Sequence, residues 1–305
     1  MNSRQIHVFV QIAEAGNLRR AAARLHIAQP ALSRHVRALE EELGVQLLDR
    51  HPHGVSVTPA GAQLLERGRR ILVEIEDTRS AIMASDDRLA GRVAVGTSTS
   101  ISRLLFARLI ATARREFPDI ALELIEDGFY QLLEGLDTRR INLAIMADAE
   151  PRSNLTLEPL VGDSLCVFGS PDDNRLTGGD IAIEAVAGMP LAVVRRPSGP
   201  RITLERAAAR AGVALDIAFE FDNPDVIKDF VAHRLGCGVL PRCSVLADVE
   251  DGRFTMATIR EVPLTRLLVR RSDQPENAAV EAIARMIRNE FSTLRDEGVF
   301  ASCGA

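Results

Sequence analysis

The sequence predicts an α/β protein built in three parts. These are an α-rich winged helix-turn-helix over residues 1–58, a long linker helix over 59–90, and a two-lobed α/β domain with parallel-dominated sheets over 91–305. Three observations predict it. Apolar residues recur at helical spacing through three short opening segments, two of them joined by a three-residue turn. Leucines and isoleucines then recur every seven residues along a polar stretch. From Gly91 onward short apolar runs alternate with amphipathic ones, the pattern of a sheet with crossover helices.

Ile6, Phe9, Val10 and Ala13 set the first helix, which Gly16 breaks. Asn17 is a good cap for the second, over 18–25, built on Ala21, Ala22 and Leu25. His26-Ile27-Ala28 is a tight connection to the third helix, whose first turn holds Pro30, where a missing N–H costs nothing. Leu32, Val36, Leu39 and Leu43 form its apolar stripe, and Gly44 stops it. Residues 46–50 and 55–57 flank His51-Pro52-His53-Gly54 as a small hairpin, the wing. Thr58-Pro59 caps a helix running to about Leu89, closed by Gly91. Along it Leu65 and Leu72, Leu64 and Ile71, and Ile75 and Ile82 lie seven apart. On a helix otherwise carrying Glu66, Arg67, Arg69, Arg70, Glu74, Glu76 and Asp77, this seam suits packing against a second copy; its own chain is the alternative.

Beyond it, strands are expected at 92–96, 121–125, 143–147, 164–168, 191–194, 218–221 and 267–270. Helices are expected at 102–117, 130–136, 202–211, 224–233 and 276–294. Ligands in such folds sit at the carboxyl ends of strands. The length of the segment favours two lobes.

No run of apolar residues is long enough to span a membrane. No signal peptide is expected, because Met1-Asn2-Ser3-Arg4 leads into an amphipathic stretch. Cys166, Cys237, Cys243 and Cys303 lack the paired spacing of a zinc site or disulfide framework, which makes a reducing cytoplasm the natural compartment. The net charge of −5 is unevenly spread: residues 1–60 carry seven Arg against five acids, net +2, and leave −7 to the rest. Such asymmetry assigns an electrostatic partner to the first part only. A Walker loop, a GxSxG elbow and an HExxH pair are all missing, so no catalytic residue, cofactor or metal is expected. An enzyme and a free-standing solute-binding protein are the weaker alternatives.

On the third helix Gln29, Ser33 and Arg37 follow one another at i, i+4 and i+8, beside Pro30 and Arg34 and opposite the apolar stripe. Gln can bond adenine bidentately and Arg can bond guanine or phosphate. Residues near the helix N-terminus are those that reach base edges in this docking mode. The plainer reading is a solvated face, as for Glu40-Glu41-Glu42 at the other end.

Residues 21–50 and the continuation Gly54-Val55 to Thr58-Pro59-Ala60-Gly61 closely resemble the LysR-type transcriptional regulators. The resemblance covers some fifty residues nearly without a gap. It implies the layout read above, with an effector domain like a periplasmic binding protein, lobe I at about 91–162 and 263–305 and lobe II at about 163–262. It makes Gln29, Pro30, Ser33 and Arg34 the recognition positions, and places Arg50, His53 and Gly54 in a wing that meets backbone or minor groove. Asn17-Leu18-Arg19, His51 and His53 depart from the usual residues, and an uncharged His at neutral pH weakens wing contacts to phosphate. Implied partners are double-stranded promoter DNA and further copies of the chain, as a dimer and a dimer of dimers, with room for RNA polymerase and none for a membrane.

The resemblance persists more weakly beyond, in Arg92-Val93-Ala94-Val95-Gly96 and in the Gly-rich turn Leu235-Gly236-Cys237-Gly238-Val239-Leu240-Pro241. Arg234 stands there where Gly is commoner. It implies a small-molecule co-inducer between the lobes, bordered by positions such as Ser100, Pro197 and Ser198. From the residues themselves, Thr97, Ser98 and Ser100 follow a strand and open a helix, where hydroxyls and free N–H groups hold an anion or merely cap. Arg201, with Arg195 and Arg196, can fork onto a carboxylate. Phe129 and Ala147 complete the expected walls, and a small carboxylate, aromatic or not, is the expected inducer. Some relatives sense oxidants through a cysteine pair, so Cys237 with Cys243 offers a redox alternative; a buried, inert Cys237 is the plainer reading.

Overall fold

The structure is a computed structural model that describes residues 1–52, 54–83, 89–176, 179–273 and 277–300. It divides into two compact units, Met1–Asp87 with Asp137–Arg140, and Arg88–Leu136 with Ile141–Ala305.

In the first unit α1 (Ser3–Ala15), α2 (Leu18–Leu25) and α3 (Gln29–Leu43) precede a hairpin of β1 (Leu48–His51) and β2 (Gly54–Val57), then α4 (Pro59–Met83). The ends are chemically marked. Asn2 and Gln5 form a reciprocal cap on α1, and Asn17 accepts from the N–H groups of Arg19 and Arg20 on α2. Each such cap contributes about 1 kcal/mol. Gly16, His26 and Gly44 close the three helices in the left-handed region. Phe9, Ile12, Leu32, Leu39 and Leu47 form the sealed core.

Two expectations change here. Glu40 is not merely a solvated charge: its Oε1 accepts from the N–H groups of Leu47 (2.8 Å) and Leu48 (3.2 Å), fixing where the wing leaves α3. The heptad seam of α4 is divided. Leu64, Leu65 and Leu72 lie half-buried against the cluster of Ile6, Phe9 and Val10, because α1 needs a cover for its own apolar face. Ile71 and Ile75 remain exposed, and the side chain of Ile82 falls outside the described residues.

The second unit opens with β3 (Gly91–Thr97), α5 (Thr99–Glu116), β4 (Ile120–Glu126), α6 (Phe129–Asp137) and β5 (Leu143–Ala147). There follow β6 (Leu155–Gly169), β7 (Asp180–Ile181), α7 (Ile183–Ala187), β8 (Leu191–Val194), α8 (Gly199–Ala211), β9 (Ile217–Phe221) and α9 (Pro224–Ala232). Then come β10 (Cys237–Pro241), α10 (Leu246–Glu250), β11 (Thr255–Arg271) and α11 (Ala278–Asp296). The strands lie in the order β4-β3-β5-β11-β6-β10-β8-β9, with β7 beside β11.

The outer strands are parallel, β3 with β4 and β5, and β8 with β9 and β10. The centre is antiparallel, because β6 and β11 pair with each other along most of their length and run through both lobes. Sequence alternation revealed only pieces of these two strands, since Pro159 and the turn-like Glu261-Val262-Pro263 interrupt it. The stretch read as a Gly-rich turn is a strand, β10; the turn lies just before it, where Arg234 takes a φ of 60° without being glycine.

Lobe I packs α5 and α11 on one sheet face through Val95, Leu105, Leu109, Ile145, Ile283 and Phe291, and α6 on the other through Leu132 and Leu136. Lobe II packs α8 through Leu204 and Ala208 against Val167 and Val193, and α9 through Ile227 and Val231 against Phe168 and Leu240. Burying each large side chain stabilises by about 1.5–3 kcal/mol. The result is a rigid frame that sets the ends of β3, β5, β8 and β10 around one cleft.

Candidate functional site

Two places bring together side chains that packing does not explain. The first is α3. Gln29, Pro30, Arg34 and Arg37 are exposed and Ser33 is half-buried, while Leu32, Val36 and Leu39 fill the core behind them. α3 follows Ala28 with no side-chain cap; Pro30 has no N–H to offer and the Ala31 N–H already donates to the Ala28 carbonyl at 2.9 Å, so the face is presented by side chains. Among the described residues, none offers Arg34 or Arg37 an ion pair. Arg50 is exposed on β1 opposite Val55. His53 lies outside the described residues. Gly54 has a packing role in addition to any DNA contact: its φ is 143°, and a Cβ there would stand 2.3 Å from the Gly16 carbonyl oxygen. The close approach is locked by the N–H of Val55 donating to that same oxygen at 2.9 Å.

The second place is a cavity of about 490 Å³ between the lobes of the second unit. Ser98, Ser100, Phe129, Ala147, Pro197 and Ser198, all expected at the site, line it together. Ser98 precedes α5 but its side chain caps nothing; its hydroxyl meets that of Ser100 at 3.1 Å, and both residues line the cavity. Ser198 does cap, accepting from Arg201 N–H at 3.3 Å. Phe129 and Tyr130 meet edge to face with ring centres 5.8 Å apart, and Ile145, Met146 and Leu240 extend the apolar wall. Gly199 allows α8 to start against the end of β5, since a Cβ would come 2.3 Å from the Ala147 carbonyl oxygen.

Two expected residues are not brought to the cavity. Thr97 is sealed beneath it, its hydroxyl donating to the Ile145 carbonyl at 3.1 Å. Arg201 is buried on α8, with Nε 2.6 Å from Glu205 and Nη2 2.9 Å from Glu220, and its Nη1 is left without a partner among the described residues. Thr97 ends β3 but is turned into the sheet, and Arg201 lies within α8 rather than at the end of β8, so neither is placed at the cavity. The neighbouring arginines are paired as well, Arg195 with Asp222 at 3.4 Å and Arg196 with Glu205 at 2.7 Å. Burial works to raise the Glu205 carboxyl, but its bonds to Arg196 and Arg201 prevail and hold it below the usual range.

Sequence reasoning missed Arg266, which lines the cavity from β11 while only 1% of it reaches solvent. No sequence signal marks it, since it lies inside an apolar strand. Its Nε and Nη2 donate to Asp163 Oδ2 at 3.2 and 2.7 Å, and Nη2 also reaches Cys243 Sγ at 3.3 Å. Glu126 also lines the cavity, accepting from the hydroxyls of Thr99 and Ser102.

The model of the bacterial regulatory helix-turn-helix proteins of the lysR family matches residues 3–62, and that of the LysR substrate binding domain matches residues 86–292. The chain belongs to the LysR family. It is therefore a DNA-binding transcription regulator with an effector-binding domain, and not an enzyme. Of the curated relatives, the nitrogen assimilation regulatory protein nac of Klebsiella aerogenes is 30% identical over 290 residues, covering 93% of this chain and 94% of its own. Solved structures share the fold. A full-length OxyR variant from Pseudomonas aeruginosa matches with a TM-score of 0.74 at 24% identity, over 94% of this chain and 98% of its own. Full-length CbnR, solved with its target DNA, matches at 0.70 and 20% identity, over 95% and 100%.

In this LysR-family regulator Cys237 and Cys243 are both free and buried, and they sit in different cores. Burial raises both thiols above their ordinary pKa. Cys166, also buried, is pushed up to about 12. Among the described residues no helix is long and apolar enough to cross a membrane.

Proposed function

We propose that this regulator reads promoter DNA with α3 and the wing, and that a small organic acid held between the lobes sets its output. The cavity carries this reading. Its volume falls within the range of small-molecule sites, and it joins an apolar, partly aromatic wall to a few fixed polar groups. A carboxylate suits the uncapped start of α5 and the Ser98 and Ser100 hydroxyls, with an aromatic body against Phe129 and Tyr130. Closing the lobes on such a ligand alters how DNA-bound copies are set, and with it the DNA bend. In this reading the chain acts in the cytoplasm as a dimer of dimers on double-stranded DNA, through Gln29, Ser33, Arg34, Arg37 and the wing. Exposed Ile71 and Ile75 on α4 are left for a second copy.

A thermal-shift screen of small carboxylates, followed by DNA footprinting with each hit, tests it. An acid that raises the melting temperature and changes the footprint or bend is the expected result. Acids that bind without any change in the DNA complex would sink the coupling.

Redox sensing through Cys237 and Cys243 has less support. Thiolate is the reactive form, and burial disfavours it at both positions. Cys237→Ser is expected to leave the response to peroxide unchanged, measured by DNA footprint before and after treatment.

A further inference from the structure

Charges are rarely buried unless they are fully paired, and an exception beside a cavity calls for a reason. Arg266 is such an exception. Its guanidinium is held from one side only, by Asp163 through Nε and Nη2 and by the Cys243 sulfur. Asp163 is itself fully occupied: Oδ2 takes both arginine nitrogens and Oδ1 accepts from the Ser164 N–H at 2.8 Å. Nη1 of Arg266 has no hydrogen-bond partner among the described residues, yet it is not one of the polar atoms sealed inside the protein. The cavity is where its two protons can find an acceptor. The cavity meets Arg266 and not its carboxylate partner, for Arg266 lines it and Asp163 does not.

Across the ladder Arg266 faces Val161 while Leu267 faces Pro159, so the extra residue, Leu160, lies on β6, and Arg266 keeps regular register with Ala147 on β5. The other arginines differ: Arg195 and Arg196 line the cavity but are answered by Asp222 and Glu205, and Arg201, whose Nη1 is sealed without a partner among the described residues, does not line the cavity.

We propose that Arg266 is the anchor for the charged head of the effector, and that the effector is therefore a small monoanion that enters head first, its apolar body lying against Phe129 and Tyr130. Asp163 and Cys243 are positioning residues that present Nη1. This deepens the reading of the cavity as an effector site and rests on it. A single free donor nitrogen selects one acceptor group, and neutral analogues of the same shape lose the charge-assisted bond.

The experiment uses the full chain with two probes, bromide in crystals and benzoate against benzamide in solution. Arg266→Gln alone leaves Asp163 buried and unpaired, so the paired variant Arg266→Gln/Asp163→Asn, which removes both charges at similar volume, is the main comparison. Anomalous density for bromide at Arg266 Nη1 in the wild type and none in the paired variant is expected. So is a drop of at least tenfold in benzoate affinity in that variant, with benzamide weak in both and DNA affinity unchanged. Absence of bromide from Arg266 overturns the anchor, as does equal benzoate affinity in the two proteins. The latter outcome leaves the cavity standing as the effector site. If bromide sits at Arg266 but benzoate binds neither protein, the anchor holds and the aromatic-acid reading of the cavity falls.

Discussion

On α3, Arg34 and Arg37 stand exposed with no acidic partner among the described residues, whereas at the cavity Arg195 and Arg196, and behind it Arg201, each lie against a carboxylate. In the proposed reading the difference follows from what each surface must hold. A duplex is a dense polyanion, and unpaired cations release counterions on meeting it. A small acid carries one or two charges, so a cleft full of free arginines would bind any anion. Pairing most of them off leaves selectivity to hydroxyls, shape and one buried guanidinium. The N-terminal unit is therefore cationic where it works, and the effector domain, despite many arginines, is close to neutral there.

The strongest way to break this comparison is to disturb the wing. Gly54→Val forces a side chain into the Gly16 carbonyl and is expected to destabilise the N-terminal unit by about 3 kcal/mol, abolishing DNA binding. Benzoate binding should persist; its loss would mean that the cavity does not work independently of the DNA-reading unit. Next, Arg34→Ala/Arg37→Ala is expected to weaken binding to every duplex and to lower the slope of log affinity against log salt by about 2. An unchanged slope would show that neither arginine meets phosphate. Gln29→Ala should instead relax base preference, at about 1–3 kcal/mol for one position, in a binding-site selection assay.

Smaller effects sharpen the other side. Arg195→Ala is expected to change benzoate affinity by less than about threefold, because its charge is already answered by Asp222. A large loss would make it a ligand contact after all. The smallest is a pH effect. Glu205 titrates below its ordinary value of 4.5 in the folded chain because Arg196 and Arg201 hold it. Its contribution to stability is present above that pH and is lost as pH falls through the lower, folded value. Urea midpoints of wild type and Glu205→Gln should therefore converge on acidification, and parallel curves would contradict the pairing.

Local chemistry made the N-terminal unit legible in the sequence. Asn17, Gly16, Gly44 and Pro30 mark helix ends by themselves, and three apolar stripes then leave only one outward face on α3. The effector domain was legible where strands are short and parallel, as in β3, β5 and β8. It was not where long strands cross between lobes, because a bulge and a proline break the alternation on which the eye depends. Of the residues expected at the cleft, the cavity gathers Ser98, Ser100, Phe129, Ala147, Pro197 and Ser198 but not Thr97 or Arg201. Ser98, Ser100 and Pro197 follow strand ends, which is a rule about topology. Arg266 answers to no such rule, since it lies within β11 and only the pairing of that strand with β5 and β6 brings it to the cavity, which is a tertiary fact. Cys237 was placed one element out for the same reason: Arg234, not a glycine, takes the left-handed turn.

The two long strands have one more consequence. Lobe II is formed by residues that the chain inserts between the two halves of lobe I, and β6 and β11 are the stitches on either side. Neither lobe can melt without tearing a ladder that the other shares. Protection against amide hydrogen exchange should then be lost from both lobes together, in one cooperative opening. Cutting the chain at the lobe boundary would not release two modules but leave two fragments, each missing half of its central strands.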